Sequence, residues 1–200
     1  MNLAQPLLTV DALALSRGGR LLFEGIGFTL APGDLLALRG ANGAGKSSLL
    51  LALAGILRPA AGRIDWHAEE APKLHLLGHL PGIKARLTLA ENLDFWRAVN
   101  GPTGMATGAA LATVGLGGLD DLDAGYLSAG QTRRLALARL LVTERRIWLL
   151  DEPHAALDAE GDGLVGRIVA AHRATGGAVI AATHDALADT THTLTLGGMQ

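Results

Sequence analysis

Apolar and polar residues alternate in two stretches near the start of the chain, at residues 7–15 and 21–30. An alternation with a period of two predicts β-strands with one buried face, and the Ser16-Arg17-Gly18-Gly19 sequence between them predicts the connecting turn. Four consecutive apolar residues at 35–38 predict instead a strand that is buried on both faces. After a glycine-rich turn, residues 46–57 predict a buried helix that ends before a proline.

The middle of the chain has a helical pattern that begins twice with the same signal. Thr88 is followed three residues later by Glu91, and Ser128 by Gln131. In such a capping box the hydroxyl and the longer side chain satisfy free amides at a helix start. The helices expected in this part are residues 88–99, 109–114 and 128–141. Residues 83–140 therefore predict a helical insertion.

Apolar runs on both sides of this insertion predict more strands. They lie at residues 62–66, 74–77, 147–150, 178–182 and 194–196, with a helix predicted at 161–174. The alternation of strands and helices at both ends of the chain predicts an α/β fold with a mainly parallel sheet.

Composition narrows the class of protein. The 200 residues are 49% apolar and carry a net charge of −2, which excludes both a disordered chain and a surface dominated by nucleic-acid binding. The absence of cysteine excludes disulfides and cysteine-based metal sites. No apolar run approaches the ~18 residues that cross a bilayer.

Residues 40–47 read GANGAGKS and follow the buried strand at 35–38. Glycines let the backbone wrap a phosphate, successive amides at a helix start stabilise its charge, Lys46 reaches the β- and γ-phosphates, and the Ser47 hydroxyl binds Mg²⁺. This loop predicts an ATP and Mg²⁺ site. The residues expected to bind the nucleotide are Gly40, Ala41, Asn42, Gly43, Ala44, Gly45, Lys46, Ser47 and Ser48.

Two acids follow the apolar run at 147–150. Side chains at the carboxyl end of a parallel strand face the ligand crevice. We expect Asp151 to hold Mg²⁺ through water and Glu152 to deprotonate the attacking water. Alone, such a pair is also typical of a solvated turn, and the loop at 40–47 is what favours the catalytic interpretation.

The sequence LSAGQ occupies residues 127–131 and ends 20 residues before Asp151. A serine-capped helix start beside a glycine offers free amides to an anion, although an ordinary helix cap has the same pattern. In combination, these motifs and a later lone histidine, His184, resemble the nucleotide-binding domain of ABC transporters. The resemblance covers the whole chain.

The resemblance implies further roles. The serine and glycine of the 127–131 segment contact the γ-phosphate that is bound by the opposite protomer, Ala156-Leu157-Asp158 corresponds to the D-loop, and His184 contacts the γ-phosphate of its own chain. The residues that it adds to the nucleotide site are Ser128, Ala129, Gly130, Gln131 and Asp158.

Two positions depart from the family pattern. Arg17 stands where an aromatic residue usually stacks on adenine, and arginine can stack as well. His79 stands where a glutamine usually contacts the γ-phosphate or Mg²⁺-bound water, so it is a candidate for both catalysis and metal binding.

The segments at 78–84, 87–93 and 127–134 make the resemblance narrower. They resemble the ATP-binding subunits of the haem exporter in the bacterial cytochrome c maturation system. That resemblance implies a single ABC ATP-binding domain over residues 1–200, with an antiparallel β edge and a helical subdomain at about 83–140. It also implies ATP hydrolysis coupled to haem export or handling.

The partners follow from the same resemblance. We expect a homodimer in the ATP state, an integral-membrane permease subunit, and a peripheral position on the cytoplasmic face of the bacterial inner membrane. No contact with nucleic acid or directly with haem is expected. Residues 82–84, Phe95 and Trp96 are candidates for docking the permease, although the two aromatic side chains fit core packing equally well.

Two other functions stay open at this point. An ABC ATPase for another small molecule would share every core motif. A soluble ABC ATPase of DNA repair, translation or cofactor assembly is disfavoured. Repair ATPases of this kind separate the two ATP motifs by a long coiled coil, whereas here only 105 positions separate Lys46 from Asp151 and no heptad repeat lies between them. Translation factors of this kind carry two such domains.

Overall fold

The computed structural model describes residues 5–67, 73–184 and 187–197. The first two strands, β1 (Leu8–Arg17) and β2 (Arg20–Leu30), form an antiparallel hairpin. Strand β4 (Ala61–Trp66) joins the other side of β1, also antiparallel, which makes a three-stranded sheet of order β2-β1-β4. This sheet is the antiparallel edge that was expected.

A second sheet has five strands in the order β5-β6-β7-β3-β8. Strand β3 pairs in parallel with β7 and β8, and β6 pairs in parallel with β7. Its strands are β3 (Leu35–Arg39), β5 (Leu74–Leu77), β6 (Ile147–Asp151), β7 (Ala178–Ala182) and β8 (His192–Thr195). The predicted α/β class with a mainly parallel sheet is confirmed.

Five α-helices and a short 3-10 helix (Ala124–Tyr126) complete the described elements. The α-helices are α1 (Lys46–Leu53), α2 (Leu89–Asn100), α3 (Thr107–Thr113), α4 (Ala129–Leu141) and α5 (Ala159–Ala174). Both predicted capping boxes are present. The Thr88 hydroxyl accepts from the Glu91 amide and the Ser128 hydroxyl from the Gln131 amide. In turn, the side chains of the Glu and the Gln accept from the amides of the Thr and the Ser. Among the described residues, no helix is long and apolar enough to cross a membrane.

The predicted end of the first helix was wrong. Helix α1 ends at Leu53 rather than at residue 57. Gly55 takes a left-handed φ of 73°, and the amides of Ile56 and Leu57 both turn back to the carbonyl of Leu51. A glycine in this conformation ends the helix before the proline at position 59 can do so.

The chain divides into two compact units. Unit 1 comprises Met1–Leu76, Arg146–Glu152 and Val169–Gln200, and unit 2 comprises Leu77–Arg145 and Pro153–Ile168. The core of unit 1 contains buried leucines of β1, β3 and α1 together with the apolar residues of β6 and β7. In unit 2, helices α2, α3 and α4 pack on one another around buried leucines such as Leu93, Leu111 and Leu135.

Candidate functional site

The glycine-rich loop of unit 1 lies between β3 and α1. Gly40, Gly43 and Gly45 have φ values of 137°, 82° and 101°, a region that side chains other than glycine rarely adopt. A Cβ on Gly40 would lie 2.3 Å from the carbonyl oxygen of Leu196. Because the N-cap residue of α1 is Gly45, no N-cap side chain covers the first amides of that helix. The loop is therefore a cradle of backbone amides.

Lys46 is the first residue of α1 and is only 8% exposed. Its Nζ donates to the carbonyl oxygens of Gly40 at 2.8 Å and Ala41 at 3.4 Å. These bonds hold a positive charge inside the loop, whereas the neighbouring Ser47 is exposed and Ser48 is buried. A buried cation within a ring of amides is a suitable environment for a phosphate.

Asp151 and Glu152 lie where β6 ends. Asp151 is 7% exposed, and Glu152 is half-buried with a positive φ of 47°. Positive φ is uncommon for a residue with a long side chain and costs about 1–3 kcal/mol. The amide of Glu152 donates to the carbonyl of Ala182 at 2.8 Å, so the end of β7 holds this strained turn in place.

His184 follows β7 and brings the separate segments of unit 1 together. Its Nε2 lies 3.1 Å from Asn42 Oδ1, 3.3 Å from Lys46 Nζ and 3.6 Å from Glu152 Oε1. Because β3, β6 and β7 are parallel neighbours, their carboxyl ends meet at one edge of the sheet. The structure therefore places the loop lysine and the candidate base each within 4 Å of the lone histidine.

The donor types at this edge also fit a magnesium ion. Mg²⁺ prefers oxygen ligands, keeps several waters, and is held by one or two side chains together with substrate phosphates. The Ser47 hydroxyl and the Asp151 carboxylate are groups of this kind. Within the described residues, no group of three or more His, Cys, Asp and Glu side chains could hold a metal by itself. Together with phosphate oxygens and water, the Ser47 and Asp151 groups would supply ligands of the kind that Mg²⁺ prefers.

Arg17 lies at the end of the β1–β2 hairpin in unit 1. It pairs across the strands with Arg20, and both side chains are exposed. Gly18 and Gly19 have φ values of 58° and 78°, the two positive angles of a tight hairpin turn. Two residues of β2 lie beside the glycine loop: the Phe23 ring would lie 3.0 Å and the Leu22 Cβ 3.3 Å from a Cβ on Gly45.

Unit 2 presents the second set of predicted residues at the start of α4. The Ser128 hydroxyl accepts from the Gln131 amide at 3.2 Å, and Gln131 Oε1 accepts from the Ser128 amide at 3.0 Å. A Cβ on Gly130 would lie 3.0 Å from the carbonyl oxygen of Ala156. The glycine therefore permits a close approach between the helix start and the segment at 156–158.

These two segments line an open pocket of about 490 Å³. Its polar side chains are those of Ser128, Gln131, Arg134 and Asp158. The lining residues are Gly115, Leu116, Ser128, Gly130, Gln131, Arg134, Ala156, Leu157 and Asp158. Ala129, which the sequence also assigned to this site, is the exposed first residue of α4.

Asp158 has partners that stabilise its ionised form. The Gly161 amide donates to its carboxylate at 2.9 Å, and Arg134 Nη2 does so at 3.3 Å. The pKa of Asp158 lies below its usual value of 3.8, and the bond from the Gly161 amide is the largest cause. Desolvation opposes this shift to a smaller extent, and the charge of Arg134 adds to it. Asp158 thus closes the start of α5 and ties it to α4.

His79 lies in the loop between β5 and α2 of unit 2 and is exposed. The end of this loop is held by Asn92, which is 1% exposed. Asn92 Nδ2 donates to the carbonyls of Lys84 at 3.0 Å, Leu87 at 3.2 Å and Thr88 at 2.9 Å, and its Oδ1 accepts from the Lys84 amide at 2.8 Å. One buried amide side chain therefore shapes the segment at 84–88.

The same loop carries a cationic and aromatic surface. Lys84 Nζ lies 3.9 Å from the centre of the Phe95 ring, and the Arg139 guanidinium lies 3.8 Å from that of Trp96. Phe95 is 38% exposed and Trp96 is half-buried, whereas Leu93 on the other face of α2 is fully buried. Burial lowers the pKa of Arg139 to about 10. Phe95 is therefore not a core residue.

Three residues with positioning roles were missed by the sequence analysis. Arg133 donates to the carbonyls of Gly78 and Pro153, Arg134 pairs with Asp158, and Asn92 holds the 84–88 segment. The sequence signal that could have found them is a polar residue at a buried position of a helix. Arg133 precedes a core leucine of α4, and Asn92 directly precedes a core leucine of α2.

The sequence of this chain also matches a known protein family. The family model described as ABC transporter matches residues 23–155. That range begins in β2, includes the glycine-rich loop and the LSAGQ segment, and ends just after the acid pair.

Curated relatives are similar over nearly their whole length. The chain is 50% identical over 191 residues to the cytochrome c biogenesis ATP-binding export protein CcmA of Rhizobium johnstonii, covering 90% of this chain and 89% of that protein. It is 51% identical over 177 residues to the protein of the same name from Ruegeria pomeroyi, covering 88% and 84%.

Solved structures agree in fold. An ABC transporter ATP-binding protein from Pyrococcus furiosus superposes with a TM-score of 0.83 at 22% identity, covering 94% of this chain and 96% of that one. The cbiO1 subunit of the cbiONQ ABC transporter complex from Clostridium perfringens gives 0.76 at 26% identity, covering 96% and 84%.

Proposed function

The chain belongs to the ABC transporter family of ATP-binding proteins, and we propose that it is the ATPase subunit that powers the export step of cytochrome c biogenesis. The observation that supports hydrolysis is the convergence of Lys46, Glu152 and His184 at the carboxyl ends of adjacent parallel strands. The specific role rests on about 50% identity to the CcmA proteins.

In this proposal the γ-phosphate of ATP lies in the loop at 40–47. The loop amides, Lys46 and His184 stabilise the charge that develops on the phosphate oxygens during in-line attack. Glu152 accepts the proton of the attacking water, and its strained backbone holds its carboxylate beside His184. Since phosphoryl transfer needs little covalent chemistry from the protein, positioning and charge account for most of the catalysis.

Mg²⁺ would be held by the Ser47 hydroxyl, with Asp151 acting through water and His79 as a further candidate for a water-mediated contact. When bound, the ion neutralises charge on the β- and γ-phosphates. We further propose that residues 1–200 act as one ATP-binding domain whose helical subdomain lies at about 83–140.

Each nucleotide-binding site would be completed by residues from a second copy of the chain. The segment at 128–131 offers a serine hydroxyl and the amides of a helix start, and it lines an open pocket in unit 2. A two-fold dimer places this segment over the nucleotide of the partner. Glu152→Gln should form this dimer with ATP and Mg²⁺ in light scattering, whereas a Lys46→Ala/Glu152→Gln chain should stay monomeric. A Glu152→Gln chain that stays monomeric would contradict the proposal.

A permease subunit would dock on the cationic and aromatic surface of Lys84, Phe95, Trp96 and Arg139. This surface combines the exposed ring of Phe95 and the half-buried ring of Trp96 with two positive charges, a combination that suits a helix with apolar and acidic residues. Ile83→Asp should release the chain from membranes that contain its partner while ATP binding persists. The matched control is Ile56→Asp, an exposed position in unit 1, which should stay bound. Equal binding of both variants would contradict this docking site.

In this proposal the chain powers haem export or handling from a peripheral position on the cytoplasmic face of the inner membrane. The test uses a strain in which the gene has been deleted, complemented with wild type or with Lys46→Ala. Only wild type should restore covalently bound haem in c-type cytochromes, while b-type haem stays normal throughout. If c-type haem survives the deletion, the chain is an ABC ATPase for another cargo, and the ATP chemistry is unaffected.

A further inference from the structure

Arg133 lies on α4, two residues after the LSAGQ segment, and is only 4% exposed. Its Nη1 donates to the carbonyl of Gly78 at 3.1 Å, and its Nε donates to the carbonyl of Pro153 at 3.2 Å. Gly78 directly precedes His79. Pro153 directly follows Glu152 and begins the segment that leads to Asp158. A single buried guanidinium therefore joins three segments of unit 2.

The choice of arginine at this position is informative. A buried charge costs several kcal/mol of desolvation, and an apolar residue of similar volume would pack in the same space without that cost. Such a residue would leave the carbonyls of Gly78 and Pro153 without these donors, which is unfavourable where a polar group lies away from water. Lysine carries one point charge and cannot donate in two directions from a rigid plane. The planar guanidinium of Arg133 donates in two fixed directions, and this holds the carbonyls of Gly78 and Pro153 relative to α4.

Both carbonyls lie close to places where the chain passes between units. Unit 2 begins at Leu77, one residue before Gly78, and begins again at Pro153. A bond at each of these points holds the two segments that leave neighbouring strands β5 and β6. Their position relative to the start of α4 then depends on one side chain.

We propose that Arg133 is a positioning residue for ATP hydrolysis, which holds the backbone beside His79 and beside Glu152 in a single arrangement with the LSAGQ helix. The inference rests on the proposed ATPase function. Arg133 is not among the residues that line the open pocket of unit 2. Its loss should therefore slow the chemical step and leave the affinity for ATP almost unchanged.

The test measures kcat, KM and the Kd of a fluorescent ATP analogue for purified full-length Arg133→Gln and Arg133→Lys, each assayed well below its own Tm. Small misplacements of reacting groups cost up to ~10²-fold in rate, so we expect kcat to fall ~10- to 100-fold in Arg133→Gln. KM and Kd should stay within about threefold, in keeping with that rate-only effect. Arg133→Lys should recover part of the rate and not all of it.

The control is Arg145→Gln. Arg145 also donates to a backbone carbonyl of unit 2, that of Asn100 at 2.8 Å, but it lies outside the predicted site. It should lose stability and keep kcat per folded molecule. A double-mutant cycle with His79→Ala supplies a second measurement, because positioning through His79 predicts that the two losses do not add.

Three results would overturn the inference. The first is a normal kcat in Arg133→Gln, and the second is full recovery of kcat in Arg133→Lys. The third is a failure of both variants to fold, because it would give Arg133 a purely structural role. An inactive wild-type chain would instead contradict the proposed ATPase function, and this inference would fall with it. Wild type and Lys46→Ala are therefore measured first.

Discussion

In unit 1 the predicted site residues come from three strand ends that are far apart in the chain. In unit 2 they come from the starts of two helices, where side chains bond to amides only three residues away. His184 meets Asn42 across 142 positions, but Ser128 and Gln131 cap each other across three. The unit 1 groups are held by a buried parallel sheet. The unit 2 groups are exposed and point into an open pocket.

This difference separates two tasks. A site built on converging strands is preorganised, since the sheet that positions it is the core of the unit. A helix start with exposed polar groups can bind an anion that is brought by another molecule. In the proposed function, the chemistry is held in unit 1 and its activation depends on what binds at unit 2.

The largest expected effect is in unit 1. Glu152→Gln removes the candidate base and keeps its size, so kcat for ATP should fall ~10²- to 10⁴-fold while ATP still binds. Phosphate release and nucleotide binding are measured on the same sample. A variant that keeps a tenth or more of the wild-type rate would show that another group accepts the proton.

The next effect compares the two capping boxes of unit 2. Ser128→Ala and Thr88→Ala should each cost about 1 kcal/mol of stability, because each removes a helix cap. Only Ser128→Ala should also reduce kcat, by ~10- to 100-fold, since a hydrogen bond to a charged group contributes about 1.5–3 kcal/mol. Denaturant unfolding and ATPase assays separate the two losses. An equal kcat in both variants would remove Ser128 from the site.

A smaller effect is expected at the β1–β2 hairpin. Arg17→Ala should raise the Kd for ATP about two- to fivefold without changing kcat, because a cation stacked on an aromatic base contributes about 0.5–1 kcal/mol at an exposed site. Arg20→Ala, at the paired position of the same hairpin, is the matched control. If both variants bind ATP alike, Arg17 does not stack on adenine.

The smallest effect concerns the core of unit 1 and its dependence on pH. His172 stacks on Trp148 with ring centres 3.8 Å apart, its Nε2 is buried without a hydrogen-bond partner, and His75 meets the edge of the same tryptophan. Burial lowers the pKa of His172 below 6.5, against smaller raising contributions from the backbone of Arg146 and Ala178.

The unfolded chain therefore binds a proton at His172 before the folded chain does. The free energy of unfolding should fall as the pH falls through about 6.5, and the loss stops below the folded-state pKa. Urea unfolding at pH 7.5 and 5.5 measures this. His172→Phe keeps a stacked ring and should lose less stability on acidification than wild type. Exposed His67→Phe should match wild type, and an identical pH response in all three chains would contradict the assignment.

Much of the fold followed from local patterns, and the family resemblance that they predicted is confirmed. The capping boxes at Thr88 and Ser128 could be predicted because their partners lie three residues away. The end of α1 could not, since a glycine at position 55 competes with the proline at 59 and only the folded backbone shows which acts first. The proposed role of His79 stays a prediction.

The sequence by itself determined the strands, the helix starts and the glycine-rich loop, because these depend on residues that are neighbours in the chain. Only the tertiary structure decided that His184 lies beside Lys46 and Glu152, and that Arg133 holds the carbonyls of Gly78 and Pro153. Such contacts depend on strand order and on which face of a helix is buried. Those properties are set by the packing of the whole chain rather than by any local run of residues.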